Sequence, residues 1–113
     1  MPAEQLDAYI RTLEAACVSE PPSPDLLTCL GVAHAAKAEH ATAQLAFQKA
    51  IAADPEHFFA RLRYAELLLS LEQFAEAAVQ VRAAAAAARN RAERAMAKRL
   101  LRQIRRAANN VRS

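Results

Sequence analysis

Around Gly31, the only glycine in the chain, Leu27-x2-Leu30-Gly31-x2-His34 is followed by Ala43-x3-Phe47, Ala50 and Pro55, and this spacing returns thirty-four residues later. At that offset Leu30 stands over Tyr64, Gly31 over Ala65, His34 over Leu68, Ala43 over Ala77, Phe47 over Val81 and Ala50 over Ala84. Large residues face large ones and small face small. A period of this length describes a helix-turn-helix unit whose two antiparallel helices approach closely at the small residues, while the bulky ones fill the gap to the next pair. The chain is therefore expected to be a helical repeat.

Composition agrees with helix and with no strand. Alanine dominates an apolar fraction of 54%, aromatics are only 5%, and glycine occurs once, a balance that favours close-packed helices. With 113 residues there is room for one domain and a core that needs neither disulfide nor metal. Cys17 and Cys29 form no CxxC and read as small, partly buried apolar residues. Met1-Pro2-Ala3-Glu4 has no signal-peptide character and no stretch is apolar for the roughly 20 residues a membrane span needs, so a cytoplasmic protein without a span is expected.

Residues 3–18 set Leu6, Ile10, Leu13 and Cys17 on one helical stripe, and Pro21, Pro22 and Pro24 stop it. Ser23-Pro24-Asp25 restarts the chain with a cap, a first-turn proline and an acid, opening a second helix that runs to about Lys37. A third helix is expected over His40–Ala53. Asp54-Pro55-Glu56 repeats the cap arrangement and should open a fourth helix, about His57 to Leu71. The fifth begins near Gln73 and continues through the alanine run Ala83–Ala88. Asn90-Arg91-Ala92-Glu93 has the form of a capping box, predicting a sixth helix toward Asn109.

This pattern resembles the tetratricopeptide repeat (TPR), matching residues 24–91 directly. The resemblance implies an all-α, TPR-type α-solenoid: about six helices in antiparallel pairs, stacked as a right-handed superhelix. Residues 1–20 would be an N-terminal capping half repeat, because Tyr9, Leu13, Ala16 and Pro21 fall under Ala43, Phe47, Ala50 and Pro55. Residues 24–57 and 58–91 would be the two repeats and 92–110 a basic amphipathic last helix, all within a single domain. Departures are Leu27 and Arg61 in place of the family's tryptophan, His34 in place of a tyrosine, and Tyr9 where a small residue is expected. The last helix breaks the period: at thirty-four residues Lys98, Arg99 and Arg102 would point into the core. A thirty-six-residue shift sets Arg61, Tyr64, Ala65 and Leu68 over Ala97, Leu100, Leu101 and Ile104, an apolar arc widened by Met96 and Ala108. That implies a two-residue insertion in the alanine-rich joint.

No phosphate-binding glycine loop, HExxH motif or nucleophile-base spacing occurs, so neither an enzyme nor a cofactor or metal requirement is expected. His34, His40 and His57 read as packing or surface residues, and Asp25, Asp54 and Glu56 as helix-start acids. What the resemblance implies instead is a groove lined by the first helix of each pair. Its residues would be Asp25, Thr28, Val32 and Ala35 on the second helix, Phe59, Leu62, Glu66 and Leu69 on the fourth, and Lys98, Arg102 and Arg105 on the sixth. Such a groove is apolar in the middle and cationic at one end, suited to an acidic and apolar peptide or short helix of another protein. The family's carboxylate clamp is not supported, because Thr28 and Val32 occupy its first-helix places. In the alternative reading Phe59, Leu62 and Leu69 simply pack against neighbouring helices.

The expected function is protein binding, as a small bacterial-type adaptor or chaperone. Two alternatives come from charge. Residues 1–81 hold eleven acids and five bases, whereas from Arg82 onward ten bases face the single acid Glu93. The basic helix could bind nucleic acid or another anionic surface, although no aromatic there can stack on bases, which disfavours nucleic acid. The acidic body of one copy could also meet the basic end of another, giving a homo-oligomer.

Overall fold

The computed structural model describes residues 2–19 and 22–112. Among them there are six α-helices and no strand. Pro21, one of the expected helix-stopping prolines, and Met1 lie outside the described residues. The chain divides into two compact units, Met1–Pro55 and Glu56–Ser113.

The first unit contains α1 (Ala3–Ser19), α2 (Pro24–Ala36) and α3 (His40–Ala53), with α2 packed against both neighbours. The α1 stripe behaves as its spacing predicts: Leu6, Ile10 and Leu13 are buried with Leu30, Ala33 and Ala46, and Cys17 packs at the margin. Ser23 caps α2, its Oγ accepting the Leu26 amide at 3.0 Å, and Pro24 takes the first turn. Beyond the core, the Lys37 ammonium ties α2 to α1 through Asp7 and stands 3.7 Å from Glu39. Its hydrogen bond to Asp7 lowers the Asp7 pKa and raises that of Lys37, while the hydrogen bond from His34, 2.9 Å away, lowers that of Glu39.

Gly31 marks the closest approach in this unit. A Cβ added there would lie 2.6 Å from Cε1 of Phe47, a ring that is only 1% exposed and has nowhere to retreat. The glycine lets the α2 backbone rest on the phenyl ring of α3. At the equivalent places in the second unit the partners are Ala65 and Val81, both buried, so a larger first residue accompanies a smaller second one.

The second unit contains α4 (Phe58–Ser70), α5 (Phe74–Ala87) and α6 (Arg91–Arg112); α5 packs on both neighbours, and α4 also meets α6. Ala65, Leu68, Ala77, Val81 and Ala84 are buried, as are Ala97, Leu100 and Ile104, the middle of the arc expected on α6. Arg61 is partly buried and donates from Nη1 to Gln80 Oε1 at 3.0 Å, joining α4 to α5.

The thirty-four-residue period extends from residues to elements. α2 and α4 have 13 residues and α3 and α5 have 14, and all four pairs of boundaries differ by the same offset. Even the turns repeat: Ala38 and Glu72 carry positive φ of 61° and 59°. Each sits just past a helix end in a Schellman arrangement. Glu39 N–H donates to His34 O at 2.9 Å and Ala38 N–H to Ala35 O at 3.0 Å, matched by Gln73 to Leu68 at 2.9 Å and Glu72 to Leu69 at 3.0 Å.

Two local expectations change. Asp54 does not cap α4; it ends α3, its N–H donating to Ala50 O at 3.0 Å, and His57 caps α4 by accepting the Ala60 amide on Nδ1 at 3.1 Å. His57 stands at the cap position because Pro55 and Glu56 are taken up in the turn before it. The two-residue insertion is likewise not in the alanine-rich joint. α5 ends on schedule and only residues 88–90 precede α6, so the added length becomes an extra first turn of α6. That turn carries a variant of the expected capping box: Asn90 Oδ1 accepts Glu93 N–H at 2.8 Å, while Glu93 Oε1 accepts the N–H of Arg89, one residue before the cap, at 2.9 Å.

Candidate functional site

Helical spacing on α4 sends Leu68 and Ala65 into the core and leaves Phe59, Leu62, Arg63 and Glu66 along an adjoining face. Leu62 is buried at the base of that face, while Phe59 stands edge-on to Phe58 with ring centroids 5.0 Å apart and remains 39% exposed. The Arg63 guanidinium lies 5.8 Å from the Phe59 centroid and donates to Glu66 Oε1 at 2.6 Å. Ring and carboxylate together hold Arg63 in place.

Facing this surface, α6 contributes Met96, Arg99, Leu100 and Gln103, and the two helices enclose an open cleft of ≈ 140 Å³. Its floor is apolar, from Leu62, Leu100 and Met96; its rim is polar, from Arg63, Glu66, Arg99 and Gln103. The volume is below the roughly 300 Å³ at which small-molecule and cofactor sites begin, and suits one or two side chains of a peptide. Arg63 is already engaged by Glu66, whereas Arg99 is exposed and makes no ion pair among the described residues, so Arg99 is the rim cation able to meet an incoming carboxylate.

The expected groove residues fall into two sets, one in each unit. In the first unit Asp25 is exposed in the first turn of α2 and Val32 is 44% exposed. Ala35 is half-buried, and the Thr28 hydroxyl is turned inward, donating to Pro24 O at 2.7 Å. In the second unit the cleft brings together Leu62 and Glu66, with half-buried Leu69 and exposed Phe59 outside its lining. Lys98, Arg102 and Arg105 are exposed on a different side of α6: at roughly 100° per residue they form one row, and Met96, Arg99, Leu100 and Gln103 another.

Sequence reasoning missed Arg63 and the whole α6 wall of the cleft. A signal existed, because Met96 had already been assigned to the edge of the apolar arc, and Arg99 and Gln103 lie three and seven residues beyond it.

The sequence matches no family model and no curated protein.

The rest of α6 is a cationic surface. Eight of its 22 residues are Arg or Lys, all exposed and none in an ion pair among the described residues, and its one acid, Glu93, is committed to the helix cap. Among the described residues no group of three or more His, Cys, Asp or Glu side chains is placed to hold a metal ion, and no helix is long and apolar enough to cross a membrane.

Proposed function

We propose that this protein is an interaction module of the tetratricopeptide-repeat kind, an α-solenoid of antiparallel helix pairs that acts as an adaptor or chaperone for a segment of another protein. The cleft between α4 and α6 carries this reading: it has an apolar floor sized for a side chain and an uncommitted arginine on its rim. The exact thirty-four-residue displacement of helix boundaries and of both left-handed turns supports the repeat assignment. The preferred segment places a leucine, methionine or aromatic residue on Leu62 and Leu100 and an aspartate or glutamate beside Arg99. Burial of one or two side chains is far below the roughly 800 Å² per partner of a standard interface, so binding is micromolar or weaker.

Selection from a random displayed peptide library tests this without a known partner. Enriched peptides should pair an acidic residue with a large apolar one. Arg99→Glu, at an exposed position, should weaken them about tenfold or more through loss of a charge-assisted contact. Failure to enrich any consensus, or a consensus indifferent to Arg99→Glu, defeats the reading.

A further inference from the structure

The exposed side of α6 is unlike an ordinary solvated helix face. Such faces mix acids and bases three and four residues apart, whereas here Arg91 and Arg94, Arg94 and Lys98, Lys98 and Arg102, and Arg102 and Arg106 are neighbours of like sign. Each pair repels, and no acid of the described residues forms an ion pair with any of them. The helix holds this arrangement because its apolar arc is buried and its start is firmly capped. An external polyanion would turn the repulsion into binding.

We infer that this face of α6 binds the phosphate backbone of duplex DNA, independently of the peptide cleft. At 1.5 Å per residue its 22 residues extend roughly 33 Å, long enough to cross a major groove about 12 Å wide and reach the phosphates of both strands. The cations occupy a broad arc of the helix, not a single line, which suits a helix lying in a major groove about 12 Å wide with phosphates on both sides. Between the cations lie only alanine and asparagine, as at Ala95 and Asn109. A protein partner would lack apolar anchors there, which are the usual source of interface energy. A bilayer would need the apolar side, but Ala97, Leu100 and Ile104 are buried within the unit. Single strands would need stacking rings, and α6 has none.

Fluorescence anisotropy with a random-sequence duplex of about 24 base pairs tests the inference on the full chain. If about five phosphates are neutralised, binding weakens by roughly 500-fold between 50 and 200 mM salt. The triple variant K98Q/R102Q/R105Q alters only exposed positions and should keep its helical circular dichroism. It should lose at least about tenfold in affinity at 50 mM salt, with the salt slope shallower by about three. No binding at about 10 μM protein in 50 mM salt, or unchanged binding by the triple variant, overturns the proposal. Equal binding of poly-glutamate, anionic lipid vesicles or duplex RNA, whose deep narrow groove does not admit a helix, also overturns it. Peptide selection with the same variant separates the two sites: loss of DNA with retention of the peptide consensus is the expected pattern.

Discussion

Gly31 and Phe47 illustrate how one residue can fix the distance between two helices. Replacing Gly31 by alanine gains about 1 kcal/mol of helix propensity but forces a methyl group into the ring, costing about 1–3 kcal/mol. We predict net destabilisation by about 1 kcal/mol. Because the second unit uses alanine opposite valine, the double variant Gly31→Ala, Phe47→Val should be more stable than the sum of the single effects by about 1 kcal/mol or more. Denaturant melts of the four proteins decide it, and strict additivity would show that the two positions do not share the space. His57 offers a second test. His57→Ala removes the acceptor for the Ala60 amide and should cost about 1 kcal/mol, whereas His57→Ser should recover most of it. That Gly31 marks a close approach of two helices was legible in the sequence, but that the bulky Phe47 of the same pair lies opposite it was not, because recurring volumes had assigned the bulky residues to the gap between pairs. The histidine cap was not, because Asp54-Pro55-Glu56 offers the conventional signal and only the position of the turn decides between them.

At the level of elements, both Schellman turns place a residue with a side chain in the left-handed region, at Ala38 and Glu72. Neither residue favours that conformation, so the left-handed backbone of these turns was invisible to propensity; the hydrogen bonds of the preceding helix impose it. Ala38→Gly and Glu72→Gly should each stabilise the protein, by up to about 1 kcal/mol, seen as a higher denaturant midpoint. Lower midpoints would mean that the added chain entropy outweighs the relieved strain.

The link between α1 and α2 responds to acid. Asp7 and Glu39 have lowered folded-state pKa values, so their contribution is present at neutral pH and disappears as pH falls below their ordinary values of 3.8 and 4.5. Lys37→Met should therefore lower the melting temperature at pH 7, with the difference from the parent protein shrinking toward pH 3. A difference independent of pH would indicate lost packing instead. α6 was legible as a helix from its capping box and apolar arc. Its cleft was not, because spacing identifies a buried arc without stating which flank faces α4.

Across the whole molecule, charge separates with the compact units. Residues 1–55 hold seven acids and three bases, and residues 56–113 hold five acids and twelve bases. Opposite net charges on two parts of one chain favour contacts between copies when screening is weak. Sedimentation velocity at about 20 mM salt should show a concentration-dependent rise that disappears near 0.5 M, as the screening length contracts to a few ångströms. A monomer under both conditions excludes this association. The division was not expected from the sequence, because a thirty-four-residue period reports the repeated pair and carries no information on where contacts thin out along the chain.

The extra turn at the start of α6 shows how length becomes direction. Two residues advance a helix by roughly 200°, more than half a revolution. Counted at an unbroken thirty-four-residue interval, the core places of Tyr64, Ala65 and Leu68 would fall on Lys98, Arg99 and Arg102; two residues further on they fall on Leu100, Leu101 and Ile104. What looks like a lapse in the repeat thus works as a spacer: the apolar arc still sets which side of α6 packs, and the added turn lengthens the outward row of arginines at its start.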